Sequence, residues 1–333
     1  MAELVGHVAE LWQYPVKSMA GVRLPAAELR RDGLLGDRGW CAREEDAGQL
    51  TVVRRTPRLL QCQAVYESEA SEEVVPPVRI TLPDGQSFSS SEPDAAAKLS
   101  AFIGKPLTLW PRQPRSKLRH YSLARPQGAR EFRRQFASRS LPDLSSIPMS
   151  KILELMFFVT PLGRYHDVYP MHVLSSSSLE HLQTLEPEAD FSVQRVRPNV
   201  FIESCPGTSG LDDFSWVGGE LQLGTTVLSC RSRTVRCSAP AQPMGAGMDH
   251  GASPEGGVTA LGKSAAVLKT LEAETGRHLG INANVRTPGA VALGDPVYWV
   301  APRKPARQRL SAYQRLRNRL LHASLEAVDR FLG

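Results

Sequence analysis

Short strand-like segments, each cut off by turn residues, constrain this chain more than any other feature. Val5 to Trp12 reads as a strand ended by Tyr14-Pro15, with Gly33, Gly36 and Gly39 punctuating the turn behind it. Trp40 to Arg43 and Leu50 to Val53 look like a strand pair, and Val78 to Leu82 alternates apolar and polar residues before an Asp84-Gly85 hairpin turn. Val200 to Ile202, Glu220 to Cys230 and Pro296 to Val300 continue the set. Helices are inserted singly. Ser91 with Asp94 resembles a capping box opening a helix through Ala97, Leu99 and Phe102 to Gly104. Ser177 with Glu180 resembles a second, carrying Leu179, Leu182 and Leu185, and Lys263 to Thr275 stops at Gly276. Strands and helices do not alternate, which argues against a doubly wound α/β fold and predicts a mainly β (α+β), barrel-like architecture.

Residues 113 to 150 are rich in Arg, Ser and Pro with weak periodicity, and are expected to be a mobile connection, with structure resuming near Ile152. Ala306 to Leu332 reads as one long basic amphipathic helix carrying Leu310, Tyr313, Leu320, Leu325 and Val328. The expected organisation is therefore an N-terminal β-barrel-like domain over 1–120, a β-barrel core domain over 150–302 and a basic C-terminal helix over 303–333. A chain of 333 residues has length for two packed domains.

Composition narrows the function classes. No stretch approaches the ~20 apolar residues of a membrane span, and no signal or transit segment is recognisable, so a cytoplasmic location is expected. The five cysteines (41, 62, 205, 230 and 237) are odd in number and scattered, which fits a reducing compartment. Neither a CxxC pair nor an iron–sulfur spacing occurs. The net charge of +6 is concentrated in Arg112 to Arg134 and Arg303 to Arg319. Without interleaved aromatics or a recognised motif, these stretches read as solvated faces, and nucleic acid is not an expected partner. Gly245-Ala-Gly247 with Gly251 misses the GxGxxG spacing, and Ser175 to Ser178 lacks a nucleophile elbow. His166, His172 and His181 have spacings that suit no zinc pattern and read as structural or surface histidines.

Four segments combine basic, small polar and apolar residues in a way a core alone does not require: Tyr14-Pro-Val-Lys17-Ser18, Gly36-Asp37-Arg38, Arg197-Pro-Asn199 and Arg236-Cys237. Each follows or ends an expected strand, where rigid backbone lets side chains converge on a pocket. Taken singly, each has a bland reading: Lys17 a surface charge, Asp37-Arg38 an ion pair, Arg197 a strand-edge cation, Cys237 a small buried residue.

Together with Gly36-Asp-Arg-Gly-Trp40, Arg197-Pro-Asn-Val-Phe-Ile202 and Gly294-Asp-Pro-Val-Tyr298, these segments resemble, in order, MOSC proteins with the N-terminal β-barrel extension, over roughly residues 5 to 300. The mitochondrial amidoxime-reducing components and their bacterial counterparts are the relatives suggested. The resemblance implies a MOSC β-barrel core and a molybdenum cofactor (a molybdopterin), with Cys237 as catalytic residue and thiolate ligand to the metal. It also implies that Lys17, Ser18, Arg38, Arg197, Asn199 and Arg236 hold the pterin and its phosphate. Soft thiolate suits such a metal, and Arg236 and Arg233 nearby favour the ionised sulfur. Cys230, at an odd offset on the same expected strand, falls on the opposite face and reads as structural.

The implied activity is molybdenum-dependent reduction of N-oxygenated small molecules, with electrons from a separate donor protein that the basic terminal helix docks. Packing of that helix on its own barrel is the blander reading. A non-redox cofactor carrier or sulfur-handling module is the alternative, and a metal-free scaffold a third. The chain departs from its relatives at Val168-Tyr169, where they have Thr-Ser, in the run after Cys237, and in a longer connection over Arg125 to Gly163.

Overall fold

The computed structural model describes residues 2–136, 141, 143–144, 147–252, 260–302 and 312–331. Seven strands close a barrel, numbered here in chain order: β1 (Ala2–Gln13), β2 (Met171–Ser175), β3 (Val200–Ser204), β4 (Glu220–Leu223), β5 (Thr226–Val235), β6 (His278–Thr287) and β7 (Pro296–Val300). Around the barrel the order is β3-β2-β6-β5-β4-β7-β1, and β1 returns to pair with β3. Every neighbouring pair is antiparallel except β2–β3, which is parallel and is joined through the helix Ser176–Leu185, as a parallel connection requires. Along β5, Thr226, Leu228, Cys230 and Ser232 point inward. With Val8, Leu11, Val173, Val200, Leu221, Ile281 and Val297 they belong to or adjoin the buried barrel interior.

β1 ties the two parts of the chain together. It lies first in the chain yet pairs with β3 and β7, so the N-terminal segment completes the barrel built by residues beyond 170. A second thread, Ala26–Arg30, pairs with Gly289–Ala292. The barrel therefore takes strands from both sides of residue 120. The chain leaves the barrel after Gln13, builds two three-stranded sheets (Trp40–Glu44, Gln49–Leu50, Leu107–Pro111 and Gln63–Tyr66, Val78–Thr81, Ser87–Ser89), and then returns. These enclose their own core of Val16, Met19, Leu59, Ile80, Phe88 and Leu99.

Several local expectations are corrected. The helix Ala95–Ile103 ends at left-handed Gly104, but neither Ser91 nor Asp94 caps its start through a side chain. Ser175, not Ser177, is the N-cap of Ser176–Leu185, accepting from Ser178 N. The stretch expected to be a mobile connection carries helices α1 (Ala129–Phe136) and α2 (Met149–Phe157), which pack with the C-terminal helix α3 (Ala312–Phe331). Phe132, Phe136, Leu144, Ile147, Ile152 and Met156 meet Leu321 and Leu325 in one buried cluster. Leu320, expected on the packed stripe of α3, is exposed, while Leu310 lies outside the described residues. This layer covers one end of the barrel. No helix among the described residues is long and apolar enough to cross a membrane.

Behind β2 lies a buried acid. Asp213 is fully buried and accepts from Ser175 N, and its Oδ1 has no hydrogen-bond partner. Burial first, and the neighbouring Asp212 carboxylate second, push its carboxyl up to about 7. The folded-state value thus lies above the ordinary 3.8, so this group's contribution to stability is complete below pH 4 and is lost as pH rises towards and past 7. A shift of this size corresponds to up to about 4 kcal/mol at 1.36 kcal/mol per unit. Asp213→Asn is expected to remove that slope. The check is the difference in melting temperature between variant and wild type from pH 4 to 8, which should move in the variant's favour as pH rises; a constant difference rejects the assignment.

Candidate functional site

One cavity of about 180 Å³ sits where the barrel end, the loops leaving β1 and the helical cover meet. Its wall contains all seven residues singled out in the sequence: Lys17, Ser18, Arg38, Arg197, Asn199, Arg236 and Cys237. The loops that carry the first three are strapped to each other and to the barrel by main-chain bonds. Arg38 N donates to Tyr14 O at 2.7 Å, Trp40 N to Pro15 O at 3.0 Å and Lys17 N to Trp40 O at 2.8 Å.

Backbone strain concentrates here. Among the described residues four non-glycine positions have positive φ, and three are Ser18 (69°), Arg38 (50°) and Arg197 (58°) in the cavity wall. A left-handed residue costs roughly 1–2 kcal/mol, so the surrounding structure holds these side chains against a local preference. Arg197 does this as the residue that terminates the short helix Val193–Val196.

Two of the guanidiniums clamp one ring. Arg38 lies 4.9 Å and Arg197 4.2 Å from the Tyr14 ring centroid, and Tyr14 donates through its hydroxyl to Pro198 O at 3.1 Å. Burial pushes the Tyr14 hydroxyl far above its ordinary range, so it stays neutral and serves as the aromatic face between two cations.

The wall is cationic beyond its local acids. Lys17 is buried and paired with Asp167; Arg38 pairs with Asp37, and Arg54 with Glu131. Lys17, and then Arg38, hold the Asp167 carboxyl, whose side chain faces solvent, well below the usual carboxylate range. No carboxylate partner of Arg197 or Arg236 occurs among the described residues. Burial, and also repulsion from Arg38, pulls the Arg197 guanidinium down to about 10, which leaves it charged at neutral pH. Arg236 donates to Val196 O at 2.6 Å and reaches His172 Nδ1 at 3.5 Å, while its Nε has no partner. Burial, then Arg236, lowers His172 to about 3. The neutral ring brings Nε2 to 3.2 Å from Leu279 O and supports Arg236 from behind.

Asn199 also has a structural task. Its Oδ1 accepts from His172 N at 3.2 Å and its Nδ2 donates to Trp12 O at 3.2 Å, so the amide ties β1 to β2 and one N–H remains for anything in the cavity. Arg233 is not at the site: it is exposed and stacks 4.3 Å from the Phe214 ring. Cys237 lies two residues past the end of β5, partly exposed on the cavity wall, whereas Cys230 is in the barrel interior with its thiol pushed up to about 12 by burial. β5 is irregular at three places, so the regular-strand parity expected between Cys230 and Cys237 does not hold along it.

Sequence reasoning missed His166 and Asp167. His166 is buried on the cavity wall with neither ring nitrogen partnered, and burial, then Arg164 and Arg38, keep it neutral. A single histidine carries no spacing signal, so only its orphaned nitrogens mark it. Val168 and Tyr169 also line the cavity.

These features test the implied cofactor. Buried Arg236 and half-buried Arg197, neither with a paired carboxylate among the described residues, an unpartnered Arg236 Nε, two unpartnered His166 nitrogens and an unpartnered Thr234 hydroxyl call for an anionic ligand rich in donors and acceptors. A pterin phosphate has that chemistry. No group of three His, Cys, Asp or Glu suited to a metal occurs among the described residues, so a metal bound to Cys237 must bring its remaining ligands with a cofactor. The residues fit the group.

Comparison with known proteins agrees. Residues 5–105 match the family model of the MOSC N-terminal beta barrel domain, and residues 163–298 that of the MOSC domain. Mitochondrial amidoxime-reducing component 1 of Mus musculus is 27% identical over 320 residues, covering 88% of this chain and 82% of that protein. Mitochondrial amidoxime reducing component 2 of Homo sapiens is 26% identical over 318 residues, covering 88% and 83%. Among solved structures, the YUAD protein from Bacillus subtilis matches with a TM-score of 0.38 and 10% identity over 90% of this chain and 98% of that chain, too distant to carry an argument. By its barrel, its cavity and these two domain matches, the chain is a MOSC-domain protein with an N-terminal MOSC β-barrel domain, similar to the mitochondrial amidoxime-reducing components.

Proposed function

We propose that this protein is a molybdenum-cofactor-dependent oxidoreductase that reduces N-hydroxy small molecules. The observation that carries the reading is the convergence, in one cavity, of Cys237 with Arg197 and Arg236, two guanidiniums with no paired carboxylate among the described residues. Arg197, Arg236 and Lys17 would neutralise the cofactor's phosphate, Ser18 and the remaining N–H of Asn199 would meet its polar edges, and Cys237 would bind its metal. When bound, the cofactor supplies a two-electron metal redox couple, which the side chains of this protein lack. The overall change balances as N–OH plus two electrons and two protons giving N–H and water.

The protein's own part is electrostatic and steric. It holds the anion and keeps His166 and His172 neutral. The electrons come from a separate protein, and the exposed Arg319 and Arg330 on α3 offer an acidic donor a place to dock.

The test is expression in a host that makes molybdenum cofactor, with molybdenum and pterin measured per chain and an N-hydroxyamidine offered with a chemical reductant. Near-stoichiometric metal and formation of the amidine are expected. Bound cofactor without reduction would favour a carrier, and a folded protein with neither metal nor pterin would reject both readings.

A further inference from the structure

The cavity has two unlike halves. Its floor is the cationic, hydrogen-bonding surface around Cys237, and its roof is built by the cover. Phe132 and Phe136 come from α1, Leu144 and Ile147 from the stretch that follows, and Leu155 from α2; all face the cavity. The two phenyl rings lie 6.3 Å apart between centroids. Among the described residues, Gln135 is the one polar side chain that this stretch adds to the lining.

The roof is held in place by the end of the chain. Leu321 and Leu325 of α3 are buried beneath it. Asp329 Oδ2 accepts from Arg130 N at 2.6 Å, which supplies the capping acceptor and negative charge at the start of α1. Gly128 makes the approach possible, because a Cβ there would stand 2.1 Å from Asp329 Oδ1. Glu326 pairs with Arg133 at 2.7 Å and Glu131 with Arg54 of the N-terminal part. The roof is thus a fixed wall tied on two sides.

We infer that this wall sets specificity: the substrate carries a compact apolar body that lies against Phe132, Phe136, Leu144 and Ile147, with its N-oxygenated head directed at the floor. The inference rests on the functional reading above and adds the substrate's body to its head group. An apolar wall gives no partner to a hydrated or charged substituent, so molecules whose second end is polar lose hydration without compensation. A small aliphatic body leaves the wall unfilled, whereas a phenyl ring covers it.

The experiment uses the cofactor-loaded protein in its oxidised resting form, so that binding is read without turnover. Benzamidoxime and acetamidoxime share one head group and differ only in the apolar body. By area burial, benzamidoxime is expected to bind at least about tenfold more tightly. Phe132→Ala should remove most of that preference and leave acetamidoxime affinity unchanged. Because Phe132 is also part of a buried cluster, Gln135→Leu serves as the gain-side control. It should tighten benzamidoxime about twofold to fivefold with no effect on acetamidoxime, an outcome that misfolding cannot imitate. Equal affinities for the two probes, or variants that shift both alike, overturn the wall. Discrimination in binding without amidine formation under reductant leaves the wall standing and removes the proposed chemistry. Amidine formation from both probes with equal affinities does the reverse. Binding of neither probe removes both.

Discussion

Cys237→Ala is expected to abolish reductase activity by more than a hundredfold and to leave the fold intact. The side chain is partly exposed at the cavity wall, beyond the end of β5, so its truncation opens no void in the barrel. Loss of groups that merely orient metal ligands typically costs tenfold to a hundredfold in affinity or activity, and removal of a ligand should exceed that. Cys230→Ala is the matched control. Cys230 is 2% exposed in the barrel interior, and its loss should cost about 1–2 kcal/mol of stability with activity within about twofold of wild type. Melting curves, metal content and reduction rates of the two variants, measured side by side, separate the roles. Loss of activity in both, or in Cys230→Ala alone, would move the proposed ligand to the wrong thiol. A Cys237→Ala protein with full metal content and full activity would remove the thiolate from the chemistry altogether.

The two cysteines also show where sequence reading works and where it fails. Strands such as β3, β7 and Val78–Thr81 were legible because alternation and flanking Gly, Pro or Asp-Gly turns are local properties. Closure of the barrel by β1 was not. Gly6 pairs with Ser204 and Leu4 with Tyr298, contacts whose sequence separation no local pattern encodes. The cover was misread for a related reason. α1 spends most of its surface on arginines, and its apolar face of Ala129, Phe132 and Phe136 has meaning only against Leu321 and Leu325, far along the chain.

At the site, the resemblance picked out residues that the fold brings together, but not what each one does. Asn199 is tied to Trp12 O and His172 N because three elements meet there, and a motif cannot announce that its amide is already engaged. His166 and Asp167 were invisible for the opposite reason. Their importance lies in missing or shared partners, which exist only once the loop is folded against Lys17 and Arg38.

Replacement of Gly280 by alanine should destabilise the protein by about 3–5 kcal/mol, the largest single effect expected outside the cavity. Gly280 sits in β6 with φ +72°, a conformation that costs any L side chain roughly 1–2 kcal/mol. A Cβ there would also stand 2.4 Å from His172 Nε2 and 2.7 Å from Val173 O, so β2 or the imidazole must shift. His172 is the support behind Arg236, and β2 carries the main-chain bond to Asn199. The damage should therefore appear at the cavity as well as in the melting curve, as a fall of about 10 °C with weakened anion binding. A double-mutant cycle with His172→Ala isolates the cause. Removing the imidazole relieves the contact at Nε2 but leaves Val173 O and the left-handed backbone, so the pair should recover part, not all, of the loss. Full additivity would show that His172 does not meet residue 280. A melting temperature for Gly280→Ala equal to wild type would show that β6 does not take the left-handed turn that makes room for the ring.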